Sequence, residues 1–228
     1  MPFSAIILDF DGTLLDTETP IFETWRDLYE RHGQTLEAEL WATTLGTHGT
    51  FDPIAELAER TARPLDRDEI RRRVSRRIRR RCAAAPLLPG VEAVLAEARR
   101  LGLKIAVASS SSRAWVGRWL DHHRLRGAID FLCNRDDVER VKPAPDLFLL
   151  AAAELGVEPA ACVVFEDSPN GILAARCAGM RCVAVPNALT RLLEPPAADL
   201  VLGSLDEMSL AEVLGRLERE IPPQSPLS

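Results

Sequence analysis

Residues 5–16 read Ala-Ile-Ile-Leu-Asp-Phe-Asp-Gly-Thr-Leu-Leu-Asp, an apolar run that ends in two carboxylates spaced i, i+2. Ala5 to Leu8 predict a short buried strand. Side chains alternate faces along a strand, so Asp9 and Asp11 leave its carboxyl end towards the same spot. Gly12 permits a sharp exit from the strand and leaves both acids at its edge. Two acids held there suit a nucleophile with a proton donor, or a divalent-metal site. The rest of the chain has to decide.

Outward from this stretch the texture splits in two. Ile21, Phe22, Trp25, Leu28 and Tyr29 have helical spacing and predict a helix over 20–31 that stops near Gly33. Further helices are expected over 36–44, 51–61 and 67–82, and no strand signature lies between 17 and 85. From residue 86 strands and helices alternate. Pro89-Gly90 opens a helix that runs to 100, and strands are expected over 103–108, 129–133, 162–165 and 182–185. Helices are expected over 145–155, closed by Gly156, and 170–178, closed by Gly179. An edge strand over 199–202 and a last helix over 206–220 follow, and the Pro- and Ser-rich tail, 221–228, is expected to be disordered. Strands alternating with helices mean a parallel sheet covered on both faces. The expected fold class is therefore α/β, a Rossmann-like core of residues 1–16 and 86–228. Residues 17–85 form a small all-helical cap domain inserted after the first strand. Ligands of such sheets bind outside the carboxyl ends of the strands, which sets the insertion over the site as a lid.

A parallel sheet demands useful residues at other strand ends, and they are present. The strand through Ile105 and Val107 runs into Ser109-Ser110-Ser111-Ser112, whose hydroxyls and backbone N–H groups suit phosphate oxygens. Lys142 stands in Val-Lys-Pro-Ala-Pro, held extended by Pro143. The strand over 162–165 runs into Glu166-Asp167, followed by Ser168-Pro169-Asn170-Gly171 at a helix start. Each piece alone has a plain reading as a loop or a helix cap. Together, in this order and each at a strand end, they point to one site. Two unit charges about 4 Å apart repel by about 4 kcal/mol at an effective dielectric near 20, so several converging carboxylates call for a cation. An all-oxygen set without His or Cys favours Mg2+ over zinc.

Composition narrows the partners. The 228 residues are 46% hydrophobic and 27% charged, as in an ordinary soluble globular protein. The net charge of −6 disfavours bulk nucleic-acid binding. No apolar stretch approaches the roughly 20 residues of a membrane span, and the strand-like start does not read as a signal peptide. Cys82, Cys133, Cys162, Cys177 and Cys182 are odd in number and form no Cys-x-x-Cys pair. They are expected to be reduced structural thiols in a cytoplasmic protein. The arginines at 71–73, 76–77 and 79–81 read as a solvated helix face, or as one or two cations aimed at the cleft.

Over essentially its whole length the chain resembles the haloacid dehalogenase-like (HAD) hydrolase superfamily. The resemblance rests on Asp9 to Asp16, Ser109, Lys142 and Glu166-Asp167, with the insertion similar to that family's small C1-type cap. Lys-Pro-x-Pro-Asp and Glu-Asp-Ser-x-x-Gly are specific to the branch of phosphoglycolate-type phosphatases, small sugar-phosphate phosphatases and beta-phosphoglucomutase. The resemblance implies that Asp9 attacks phosphorus to form an aspartyl-phosphate. It implies that Asp11 protonates the leaving alcohol and then deprotonates water. Ser109 would bind the transferring phosphoryl group beside the Ser110 amide, and Lys142 would balance the charge of Asp9 and phosphate. Mg2+ would be held by the Asp9 carboxylate, the Asp11 main-chain carbonyl and Asp167, with Glu166 close by or acting through water. Thr17, Glu18, Gly46, Thr47 and His48 are the expected substrate contacts from the hinge and cap. The expected activity is a Mg2+-dependent phosphatase acting on a small phosphorylated metabolite, as a monomer or small homo-oligomer without nucleic-acid or membrane partners. A phosphosugar mutase is the rival. The mutase branch uses a basic residue and a histidine near the cap, where this chain has Ile21 and Gly49. A non-catalytic phosphate-binding protein is the more distant alternative.

Overall fold

The computed structural model describes residues 2–49, 51–194 and 196–219, and the tail expected to be disordered lies outside them. Its core is a six-stranded sheet of β1 (Ala5–Leu8), β2 (Lys104–Ser109), β3 (Phe131–Asn134), β4 (Cys162–Glu166), β5 (Arg181–Ala184) and β6 (Leu200–Val201). The strands lie in the order β3-β2-β1-β4-β5-β6, and every pair is parallel. The first strand is thus central, and the order in which strands are added reverses beside it, the crevice where open α/β sheets bind ligands. Register sets the site. Leu8 pairs with Val107 on one side and Phe165 on the other, so Asp9, Ala108 and Glu166 stand abreast at the carboxyl edge.

Both sheet faces are buried, which is why the strands read as unbroken apolar runs. Ile6, Leu8, Ile105, Val107, Val163 and Phe165 face one layer. That layer includes α5 (Val91–Arg100), α6 (Arg113–His122) and α9 (Leu210–Arg219). Ala5, Ile7, Ala106, Ala108 and Val164 face α7 (Asp146–Leu155) and α8 (Pro169–Cys177) on the other side. The last helix starts at Leu210, four residues later than expected. The reason is a capping pair: Glu212 accepts from the Ser209 N–H and hydroxyl, while the Glu212 N–H donates to the Ser209 hydroxyl.

Between β1 and α5 the regular elements are α1 (Glu18–Arg31), α2 (Ala38–Ala42), α3 (Pro53–Thr61) and α4 (Arg67–Cys82). The Asp16 carboxylate accepts the Thr19 N–H at the start of α1, and Asp52 and Asp66 cap α3 and α4. Only Val74, Ile78 and Cys82 of α4 are buried, a narrow stripe at four-residue spacing. The arginines divide as their positions dictate: Arg77 and Arg81 pair with Asp27 of α1, and the rest of the run lies at the surface. The chain leaves the core and returns to it side by side, because Leu15 bridges Leu87 and the Leu88 N–H donates to Leu14. All five cysteines are free, and four of them are buried. Among the described residues no helix is long and apolar enough to cross a membrane.

Candidate active site

Asp9, one residue beyond β1, is buried against Lys142, whose side chain is fully enclosed. The Lys142 ammonium uses all three of its protons: it donates to Asp9 Oδ1, to the Ala108 carbonyl at 2.8 Å and to Glu166 Oε1 at 2.7 Å. The other Glu166 oxygen accepts the Ser168 N–H and hydroxyl at 2.8 and 2.9 Å. Glu166 thereby braces the lysine against the start of α8. Asp9, Glu166 and Asp167 each offer an oxygen within 4.8 Å of the others. Residues more than 130 positions apart are therefore in contact.

Charge is unbalanced here. Asp9, Glu18, Glu166 and Asp167 are buried, with Lys142 as the one buried ammonium beside them. Burial pushes the Asp9 carboxyl up to about 8; Lys142 opposes this, and Glu166 and Asp11 add to it. Burial likewise lifts Asp167 well above the usual carboxylate range, helped by Glu18, Glu166 and Asp9. Glu18 is raised by the same burial, against the bond it accepts from Asn187. Burial alone would lower the Lys142 ammonium, but Asp9 and Glu166 outweigh it and hold it above its ordinary value. A buried cluster of carboxylates with too little positive charge fits a hard divalent cation bound through oxygen.

The Asp11 side chain faces the other way. Oδ1 accepts from the Thr17 hydroxyl at 2.6 Å and the Trp115 indole N–H at 2.8 Å. Oδ2 accepts from the Ser111 hydroxyl at 2.6 Å and the Ser109 hydroxyl at 3.2 Å. Above these groups opens a cavity of about 540 Å³, lined by Asp9, Asp11, Ser109 and Ser110 from the core and Thr17, Glu18, Gly46, Thr47 and His48 from the helical segment. That volume lies within the range of small-molecule sites. Trp25, Trp41, Phe51 and Trp115 supply aromatic walls, and Arg79 and Arg135 supply cations. Arg79 is thus the member of the arginine run that faces the cleft.

Residues 3–179 match the family of haloacid dehalogenase-like hydrolases. The chain belongs to that family. As a HAD-like hydrolase it is an enzyme of the phosphoric monoester hydrolase class, in keeping with its relatives. It is 43% identical over 216 residues to YhcW of Bacillus subtilis (strain 168), named as a candidate phosphatase, covering 95% of this chain and 98% of that one. It is 35% identical over 185 residues to the fructose-1-phosphate phosphatase YqaB of Escherichia coli (strain K12), covering 80% of this chain and 96% of that one. Among solved structures, CbbY from Rhodobacter sphaeroides in complex with phosphate superposes with a TM-score of 0.74 at 32% identity. That match covers 92% of this chain and 98% of CbbY.

Every residue singled out from the sequence of this HAD-like hydrolase lies at or directly beneath one cavity. Others do so without having been foreseen, among them Asn187, Arg135 and Trp115. Asn187 donates to both Glu18 Oε2 and Asp167 Oδ2 at 2.7 Å, while its own oxygen accepts the Leu189 and Thr190 N–H groups. It follows β5, so inspecting one more strand end would have found it. Arg135, just past β3, lies 2.7 Å from Nε2 of His48, and the same inspection would have caught it. Trp115 carried no comparable signal, because a helix-borne tryptophan has ordinary structural uses.

Proposed function

We propose that this HAD-like hydrolase is a Mg2+-dependent phosphatase that removes phosphate from a small phosphorylated metabolite, such as a sugar phosphate, through an aspartyl-phosphate on Asp9. The supporting observation is the meeting of Asp9, Lys142 and Asp167, from three separate strand ends and loops, beneath one cavity. An Asp9 oxygen attacks phosphorus as the bond to the leaving alcohol breaks, and Asp11 passes its proton to that alcohol oxygen. Asp11 then takes a proton from the water that attacks the phosphorus, releasing inorganic phosphate and restoring the Asp9 carboxylate. Lys142 holds Asp9 in line throughout, and Ser109 with the Ser110 amide receives the phosphoryl oxygens. Asp9, Asp167 and the Asp11 main-chain carbonyl, with Glu166 nearby, would hold Mg2+, which would supply positive charge for the phosphoryl group.

Residues 17–85 serve as the cap, crossing to the core at the paired segments around Leu15 and Leu87, and lid movement there admits substrate and excludes bulk water. Ile21 and Gly49 line the cavity where the mutase branch carries a basic residue and a histidine, which favours hydrolysis over mutation. The test is hydrolysis of 4-nitrophenyl phosphate and a panel of sugar phosphates with Mg2+ or EDTA. Mg2+-dependent release of phosphate, lost in Asp9→Asn, is expected. Silence across the panel supports a binding protein instead, and conversion of beta-glucose 1-phosphate to glucose 6-phosphate without free phosphate supports the mutase.

A further inference from the structure

The proton-transfer role of Asp11 raises a difficulty that the geometry itself answers. Both carboxylate oxygens are engaged, each by two donors from the protein. To serve a leaving oxygen, the side chain has to give up some of these bonds. Thr17 belongs to the hinge and Ser109 to the phosphoryl pocket, so both act in the reaction on other grounds. Trp115 has no such duty.

Trp115 is held independently of Asp11. Its backbone N–H donates to the Ser112 hydroxyl that caps α6, which fixes the start of the helix. Its ring meets Trp119, one turn on, edge to face at 5.5 Å between centroids, and Trp119 is buried. The indole N–H is therefore aimed by two constraints that do not involve Asp11. Trp115 also lines the cavity.

Building on the acid–base role proposed for Asp11, we infer that Trp115 is a positioning residue. With Ser111 it docks the Asp11 carboxylate in a resting orientation, and filling of the pocket releases that carboxylate for proton transfer. The dock competes with the leaving oxygen for Asp11. It selects for substrates that reach the indole and disfavours small phosphate esters that do not.

Two measurements on the full chain with Mg2+ test this. In the 15N-labelled protein the four tryptophans give four indole correlations, and Trp115→Phe identifies the one belonging to Trp115. That resonance is expected to move upfield in Asp11→Ala and on adding orthovanadate, a phosphoryl-transfer mimic. No movement in Asp11→Ala overturns the dock. The second measurement is the ratio of kcat/KM for ethyl phosphate to that for 4-nitrophenyl phosphate. An ethoxide needs a proton to leave and 4-nitrophenolate does not, and the ratio cancels any change in folded fraction. In Trp115→Phe the ratio is expected to rise about three- to tenfold, the range for the net worth of one typical hydrogen bond. An unchanged or lower ratio overturns the inference. If Asp11→Ala hydrolyses ethyl phosphate as fast as the wild type, the acid–base role itself falls, whatever the indole does.

Discussion

Lys142 shows how one side chain can hold a site together. It donates to two buried carboxylates and one carbonyl, and no water-exposed surface remains to it. Lys142→Met would keep its length and remove its charge, leaving Asp9 and Glu166 facing each other uncompensated. A stability loss of about 3–5 kcal/mol is expected, as for a buried ion pair broken from one side, read from denaturant midpoints; a loss below about 1 kcal/mol would contradict the ion-pair account. The Asp9 carboxyl makes a second prediction. Its folded value of about 8 exceeds the ordinary carboxylate value of about 3.9. Between those limits the metal-free folded state binds the proton more tightly than the unfolded one. That contribution is complete below about pH 4 and is lost as pH rises towards 8, and Asp167 and Glu18 act in the same direction. Mg2+ competes with these protons. At a hundredfold excess over Kd it should add about 2.7 kcal/mol, or about 5–10 °C in Tm at pH 8 for a chain of this size. The gain over EDTA should be clearly smaller at pH 5.5, and an equal gain at both values would remove the cluster as the site of binding.

At the level of elements, helix α8 has to come unusually close to the end of β4. Gly171 sits in its first turn, and a Cβ there would collide with the Glu166 carboxylate. In an ordinary helix Gly→Ala stabilises by about 1 kcal/mol. Here Gly171→Ala should destabilise by about 1–3 kcal/mol through overpacking and displace Glu166 from Lys142, with activity falling as well. Calorimetry and a phosphatase assay on the same preparation check both, and a more stable, fully active variant would refute the close approach. The elements also show what could be read in advance. The parallel strands were legible because their buried faces leave unbroken apolar runs. The short α2 was expected to extend over 36–44, since apolar spacing alone carries no stop signal there. The start of α9 was encoded in Ser209 and Glu212, a local cap that periodicity overlooks.

Across the molecule, the loop at 45–48 is fastened to the core from three directions. Ser110 Oγ donates to the Gly46 carbonyl at 3.0 Å, Asn170 Nδ2 donates to the Leu45 carbonyl at 2.8 Å, and Arg135 meets His48. Burial, then the Arg135 guanidinium, lowers His48 from its ordinary value, which favours a neutral ring in this arrangement. Asn170→Ala removes one fastening worth about 1 kcal/mol. It should raise KM about fivefold for the preferred substrate while Tm falls by no more than about 2–4 °C, and an unaltered KM would show that the loop does not close over substrate. Sequence alone determined the alternation of strands and helices, the helical stretch after β1, and the polar residues at the ends of β1, β2 and β4, because hydrophobic period and strand-end position are local properties. Only the tertiary structure decided that Asn187 joins Glu18 to Asp167, that Arg79 is the member of the arginine run facing the cavity, and that Asp11 rests against Trp115. Each of those depends on how helices and loops distant in the chain pack over the sheet, and no short-range pattern records that packing.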